Sequence, residues 1–277
     1  MRRGKKSETS VIHRVTRYDG SIGKTADDVL VVEEPLEIRV AGESVAVTMR
    51  TPGDDRALAL GFLYGEGIIR EIGDVGRAEH CGRPGTPEYG NVIDVLPRPG
   101  EILDPERIRA GRRGTLTSSA CGVCGREQIE DMMQRCQPIG DNRAVRAAMI
   151  FFAQEQMRQS QYVFAQTGGV HAAAAFSETG DMYCCFEDIG RHNAVDKVVG
   201  HLLETRSIAE GEGVQILAVS SRASFEIVQK AVVARIPVVV AVSAASSLAA
   251  DLARAMGITL IGFARDKRMV VYTGAVQ

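Results

Sequence analysis

The sequence predicts an α/β (α+β) protein, with a smaller β-rich N-terminal subdomain followed by a mixed sheet carrying helices on both faces. One observation behind this is the clean alternation of Leu36-Glu37-Ile38-Arg39-Val40 near the start of the chain, the period of a half-buried strand. Another is the regular exchange of apolar strand-like runs and helical stripes after residue 170, which argues for a largely parallel or mixed sheet covered on both sides. The size agrees: 277 residues, 45% apolar and 25% charged, are ordinary globular proportions with room for a real core.

Taken in order, residues 1–25 form a polar, basic arm expected to be flexible. The β-rich subdomain is assigned to residues 26–115. Its strands are residues 29–32, 36–40 and 45–49, with Ala41-Gly42-Glu43 as a hairpin turn. Thr51-Pro52-Gly53-Asp54-Asp55 is a turn into a helix over 57–64 that stops near Gly65-Glu66-Gly67, and a further strand over 91–96 ends at Pro97. Residues 116–142 are a connector carrying a Cys-x-x-Cys, with helical composition over 126–133. The second domain, 143–277, opens with a helix bearing Val145, Ala148, Met149 and Phe152 on one face. Strands 170–176 and 182–186 follow, then a helix striped by Val195, Val198, Val199, Leu202 and Leu203. Strand 214–219, helix 225–235, strand 237–242, helix 247–256 and strands 258–263 and 269–272 complete the pattern.

Charge and composition exclude several functions. With 33 Lys and Arg against 35 Asp and Glu, the net charge of −2 is wrong for a protein that coats nucleic acid. There is no Trp, which argues against binding of sugars or single strands by stacking. Val11-Ile12 is interrupted at once by His13-Arg14, so no secretory apolar segment follows the basic start. The apolar stretch 236–250 is too short and too rich in serine to span a bilayer. The expectation is a cytoplasmic protein with reduced thiols, touching neither membrane nor nucleic acid.

Six cysteines stand at 81, 121, 124, 136, 184 and 185. Ser119-Ala120-Cys121-Gly122-Val123-Cys124-Gly125 leads into helix-forming residues, so its thiols sit near free N–H groups and a positive dipole end. Lowering a thiol pKa from about 8.5 to about 7 raises its thiolate fraction from a few per cent to roughly half. Glycines and serines leave the loop bare, and Arg112, Arg113 and Arg126 add positive potential. Zinc ligation is the bland alternative, but a second pair of suitably spaced ligands is missing. A thioredoxin-type dithiol is the other, although such motifs follow a core strand near the chain start. Cys81, Cys136, Cys184 and Cys185 are expected to pack as small hydrophobes.

Other polar groups gather at predicted strand ends. His171 follows Gly168-Gly169-Val170, with a structural role the simpler expectation. Glu187-Asp188-Ile189-Gly190-Arg191-His192-Asn193 is expected to rim a pocket. Ser220-Ser221-Arg222 precedes a helix start. In Gly262-Phe263-Ala264-Arg265-Asp266-Lys267-Arg268 three cations fall in four positions, either a solvated turn or, with Arg222, a diphosphate site.

These blocks, together with Met49-Arg50-Thr51-Pro52-Gly53-Asp54-Asp55, Thr167-Gly168-Gly169-Val170-His171 and Ala194-Val195-Asp196-Lys197, resemble the FdhD/NarQ family of formate dehydrogenase accessory sulfurtransferases, from about residue 33 to 273. The resemblance implies that sulfur is taken as a persulfide from a cysteine desulfurase and passed to the molybdenum cofactor, Mo-bis(molybdopterin guanine dinucleotide), before insertion into the formate dehydrogenase catalytic subunit. By it, Cys121 carries the persulfide and Cys124 assists. Phe263, Ala264, Arg265, Asp266, Lys267 and Arg268 bind the cofactor as substrate, no resident metal is held, and the chain is a homodimer. The resemblance further implies a cytidine deaminase-like fold for residues 143–277. Deamination itself is not expected, since the zinc motif would fall on His171-Ala172-Ala173 and no Pro-Cys-x-x-Cys follows. Two departures stand out: Asp266 and Val270 occupy positions where the family pattern has Gly and Asn, and Ser243-Ala244-Ala245-Ser246 lacks a proline common in that block.

Overall fold

A computed structural model describes residues 9–83, 85–86, 88–100, 103, 108, 125–139, 144–205 and 213–277. The expected flexible arm is corrected over most of its length. Strands β1 (Ser10–Asp19) and β2 (Ile22–Val31) pair antiparallel along their whole length, from Ser10↔Val31 to Asp19↔Ile22. The hairpin escaped the sequence pattern because neither face is continuously buried, with Ile12, Tyr18 and Ile22 all exposed.

The N-terminal sheet has the order β4-β3-β6-β5. Strand β3 (Glu34–Val40) forms a hairpin with β4 (Glu43–Arg50) and runs parallel to β6 (Val92–Pro97), which pairs antiparallel with β5 (Val75–His80). β5 was not expected because Ala78 is its one buried residue. Helix α1 (Asp55–Gly65) covers the inner face, packing Leu58, Leu60 and Leu63 on Leu36, Ile38 and Val95.

The C-terminal sheet is mixed and six-stranded, in the order β12-β11-β10-β9-β7-β8. β9 (Val214–Val219), β10 (Val238–Ala241) and β11 (Thr259–Arg265) are parallel to one another. β7 (His171–Ser177) runs antiparallel to both β9 and β8 (Met182–Asp188), and β12 (Arg268–Thr273) runs antiparallel to β11. The connections between the parallel strands are α6 (Phe225–Val233) and α7 (Ser247–Met256), as short parallel crossovers require. With α5 (Arg191–Glu204) they bury the core around Val195, Val198, Leu217 and Val239. Helix α2 (Gly125–Arg135) adds Met132 to that core, so the C-terminal part of the predicted connector packs with the second domain. The other face carries α3 (Ala147–Gln159), whose Ile150, Ala153 and Met157 meet Ile216, Val238 and Ile261. The short helix α4 (Tyr162–Thr167), absent from the sequence expectation, follows it and packs beside β2.

A polar seam joins the two sheets. Lys197 is 1% exposed and Asp188 is fully buried, and they pair at 2.8 Å. The Lys197 ammonium also donates to the Thr51 carbonyl at 3.1 Å, while Asp188 accepts from the Thr51 N–H at 3.2 Å and the Gly190 N–H at 2.8 Å. Asn193 donates to Met49 O and to Asp188 Oδ1. On the N-terminal side, buried Arg50 grips Asp55 with two bonds at 2.9 and 3.1 Å and donates to Gly90 O at 2.9 Å. Burial pushes the Asp55 carboxyl up, but hydrogen bonds from His80 and Arg50 outweigh it and hold the group below the usual range.

Candidate functional site

The C-terminal ends of parallel strands are where an open α/β sheet leaves room for a ligand, because the connections diverge there to either side. The chain uses that place. Ser220, just after β9, and Val242, just after β10, line a cavity of about 810 Å³. Helix α3 contributes Phe151, Gln154, Met157 and Arg158, α4 contributes Phe164, and the glycine turn before β7 contributes Gly168, Gly169 and His171. The far wall is the end of β11 with its turn: Ala264, Arg265, Asp266 and Lys267.

Backbone geometry explains that wall. Arg265 pairs with Arg268 across a two-residue turn whose central residues, Asp266 and Lys267, have φ of 51° and 57°. Positive φ at both positions is the type I′ hairpin, whose twist matches its flanking strands. A register shift lies between Gly262 and Arg265, and within it Phe263 has φ of 52° with its ring 40% exposed. A bulky residue in that region is strained. Of the six residues predicted to contact a cofactor, Ala264, Arg265, Asp266 and Lys267 line the cavity, whereas Phe263 and Arg268 are outside its lining.

The cavity is apolar inside and cationic at the turn. Arg265 and Lys267 are exposed and bracket Asp266, while Arg158 at the opposite wall is paired to Glu155 at 2.8 Å. Burial and then the nearby Arg191 cation push the His171 pKa down. Ser220 fixes the rim by accepting from the Ala172 N–H at 2.9 Å. Gln154 is 7% exposed; its amide nitrogen donates to Val240 O at 3.0 Å and its oxygen has no partner. The sequence expectation missed Gln154, although a glutamine among Ile150, Ala153 and Met157 on a core-facing helix stripe was a readable signal.

One sequence expectation is met at a different pocket and one changes. The Glu187–Asn193 segment rims a pocket, but not this cavity: Asp188 belongs to the seam, Asn193 serves both the seam and a second pocket, and Glu187 accepts the Val163 and Phe164 N–H groups at 2.7 and 2.8 Å, anchoring α4. Arg222 is likewise outside the lining, so it does not join Arg265 around an anion. His192 instead reaches a smaller pocket of about 280 Å³ between the two sheets, beside Glu226 and the buried Asp196–Lys230 pair at 2.6 Å. There, burial pushes Asp196 up to about 6. Burial opposes the charge on Lys230, but Asp196 and Glu66 outweigh it and raise its pKa.

Cys121 and Cys124 lie outside the described residues. Of the other thiols, burial pushes Cys184 up to about 12, with Cys185 adding to it, and burial and Glu187 do the same for Cys185. Neither is a nucleophile at neutral pH. Cys184 sits in one core, and Cys185 and Cys136 pack against the apolar clusters. Among the described residues no three His, Cys, Asp or Glu side chains are grouped to hold a metal ion, and no helix is long and apolar enough to cross a membrane.

The model of the FdhD/NarQ family matches residues 31–277. The chain belongs to the FdhD/NarQ family. It is 53% identical over 254 residues to the sulfur carrier protein FdhD of Anaeromyxobacter dehalogenans strain 2CP-C, covering 90% of this chain and 88% of that one. Against the protein of the same name from Mycobacterium tuberculosis strain H37Rv it is 49% identical over 259 residues, 91% of this chain and 92% of the relative. A crystal structure from Desulfotalea psychrophila, described as a formate dehydrogenase accessory protein, superposes with a TM-score of 0.74 over 96% of this chain and 98% of that one. At 22% identity it shares the fold. The FdhD/NarQ match thus spans both sheets, the seam between them and the whole cavity wall.

Proposed function

We propose that this protein is a sulfur carrier for formate dehydrogenase, moving sulfur from a cysteine desulfurase through Cys121 to the molybdenum cofactor. The cofactor, a bis(molybdopterin guanine dinucleotide), is the substrate, and the cavity walled by Ala264, Arg265, Asp266 and Lys267 receives its nucleotide end. One observation carries this most directly: the segment expected to meet the cofactor lines a large cavity at the ends of the parallel strands. The 53% identical relative, a sulfur carrier protein by name, supports the sulfur half. The raised pKa values of Cys184 and Cys185 set those two thiols aside as carriers.

In the loading step, the Cys121 thiolate attacks the outer sulfur of the donor's persulfide. A new S–S bond forms at Cys121, the donor's S–S bond breaks, and the donor cysteine leaves as a thiolate. In the delivery step, the Cys124 thiolate attacks Cys121 Sγ, leaving a Cys121–Cys124 disulfide and releasing the outer sulfur as sulfide to the cofactor's metal. The two electrons reducing that sulfur come from the two thiolates.

Incubation with a desulfurase and cysteine should add the mass of one sulfur to the protein, and Cys121→Ala should abolish the gain. A Cys121→Ala strain that still matures active formate dehydrogenase would replace this proposal with a non-catalytic cofactor chaperone. The carrier works in the cytoplasm as a homodimer. The two-stranded hairpin of β1 and β2, exposed over much of its length and packed only beside α4, supports the dimer, since such a hairpin is marginal without a further surface to cover it. The cytidine deaminase-like description of residues 143–277 is supported by three parallel strands flanked by the β7–β8 hairpin.

A further inference from the structure

Strand β2 has an unused edge. Among the described residues β1 and β2 form a sheet of their own, so the far edge of β2 pairs with no strand. The register shows which backbone groups face that way. The Val32 N–H donates to Thr9 O at 2.9 Å, so in this antiparallel ladder the even-numbered residues of β2 bond to β1 and the odd-numbered ones turn outward. The amides and carbonyls of Gly23, Thr25, Asp27 and Val29 therefore line the free edge. The Val29 N–H accordingly meets the neighbouring Asp28 carboxylate, at 3.1 Å, and not β1. A long open edge on a two-stranded hairpin is a template for another strand.

The side chains select that strand. On one face β2 presents Ile22, Lys24, Ala26, Asp28 and Leu30, in the order apolar, cation, small, anion, apolar. Reversed about Ala26, the order matches itself with the charges exchanged. We propose that β2 pairs antiparallel with β2 of a second copy of this chain, about a two-fold axis passing between the two Ala26 residues. Thr25 then exchanges its outward hydrogen bonds with Asp27 of the second copy, and Gly23 with Val29. Lys24 meets Asp28 across the axis, and Ile22, 64% exposed in the single chain, covers Leu30, 40% exposed. Asp28 already holds Arg17 at 2.8 Å with its side chain 42% exposed, which leaves room for a second cation. The neighbouring registers fail on the same residues: an axis at Thr25 sets Ile22 against Asp28, and one at Asp27 opposes two carboxylates directly. The edge of β1 is poorer, since an axis at Arg14 opposes two guanidinium groups and one at Val15 sets His13 against Arg17. Joined in this way, two marginal hairpins become one four-stranded sheet. The contact rests on the homodimer reading above and gives it a surface.

The test measures dimer dissociation of the full chain by analytical ultracentrifugation. Thr25→Pro removes an N–H that β1 does not use, so the hairpin keeps its own ladder while the one between chains is cut. The dimer should weaken at least about tenfold. Lys24→Asp sets two carboxylates together on each side of the axis and should weaken it by a similar factor; adding Asp28→Lys should restore it to within about threefold. If Thr25→Pro does not fold, this charge exchange decides in its place. Ala26→Cys reads the register. Directly opposed residues in a non-hydrogen-bonded pair lie about 4.5 Å apart, within disulfide reach, so diamide should join two chains through the introduced thiols, as identified by peptide mass. Leu30→Cys, which faces Ile22 of the second copy, should not join to itself. A dimer unmoved by Thr25→Pro and by charge reversal, or one in which Ala26→Cys does not join, overturns the proposed contact and leaves the homodimer reading standing. An unaltered chain that sediments as a monomer overturns both.

Discussion

Gly61 and Gly200 face each other where α1 crosses α5, so closely that a Cβ on Gly61 would lie 1.9 Å from the Asp196 carbonyl oxygen and 2.9 Å from the Gly200 nitrogen. The reverse holds too, since a Cβ on Gly200 would lie 1.9 Å from the Ala57 carbonyl oxygen. Both obstacles are backbone, so the helices would have to part, and with them the two sheets. Alanine in a helix interior gains about 1 kcal/mol over glycine by propensity. Forced repacking at this crossing costs about 3 kcal/mol or more, and the steric term wins. Gly61→Ala and Gly200→Ala should each lower the melting temperature by roughly 5–10 °C. Gly65→Ala, on the same helix, would meet side chains and no backbone, with Lys230 Nζ at 3.3 Å, Lys230 Cγ at 3.7 Å and Asp196 Oδ1 at 3.9 Å, and should change it far less.

The Lys197–Asp188 pair has a different vulnerability. Both groups are buried, so removing one leaves a charge without its partner in a dry site, at about 3–5 kcal/mol. Lys197→Met should fall at the low end of that range, because Asp188 keeps donors from Thr51, Gly190 and Asn193. Asp188→Leu, which leaves the ammonium two carbonyl acceptors, from Thr51 and Glu187, but no counter-charge, should cost more. Urea unfolding with an unchanged slope and a lowered midpoint is the expected result. Equal, small losses in both variants would mean that the pair contributes little to joining the sheets.

What was legible in the sequence followed local periodicity. Strands β9, β10 and β11 were readable because each is an apolar run bounded by turn residues, and α5 through its valine and leucine stripe. The polar motifs were located correctly but assigned the wrong neighbours. Asn193 does line the smaller pocket, yet it and Asp188 also hold Met49 and Thr51, 144 and 137 positions away. No spacing rule shows that. The cavity was half legible: the cationic turn was visible as charges between two strands, while the wall from α3 depends on how that helix lies across the sheet.

The pocket between the sheets makes a prediction about acid. Burial and then the Arg191 cation push His192 down to about 4, while an unfolded histidine titrates near 6.5. Between those values the unfolded chain binds the proton and the native chain does not, so this contribution is complete above about pH 6.5 and is lost as pH falls toward about 4. With the ring 33% exposed, solvent trims it to on the order of 1–2 kcal/mol. Asp196, pushed up to about 6, has the opposite sign: the native state holds its proton and gains stability as pH falls below that value. His192→Gln should therefore flatten the stability loss from pH 6.5 to 4 relative to the unaltered protein. A histidine resonance that titrates near 6.5 in the folded protein would remove the basis for the expectation.

The turn at Asp266 and Lys267 separates backbone strain from charge. Both residues hold positive φ, a conformation that glycine adopts freely and that costs other residues about 1 kcal/mol, less for Asp. Replacing either by glycine should therefore keep or raise the melting temperature. Their effects on an anionic ligand should diverge. Asp266→Gly removes a carboxylate from the cavity wall and should tighten GDP or diphosphate binding by about three- to fivefold at low salt. Lys267→Gly relieves the same turn but removes a cation, and should weaken binding by a similar factor. Both changes should shrink as added salt shortens the screening length from about 10 Å at 0.1 M to about 3 Å at 1 M. Shifts of the same sign in the two variants would mean that turn geometry, not the charge at the cavity wall, controls the anion's affinity.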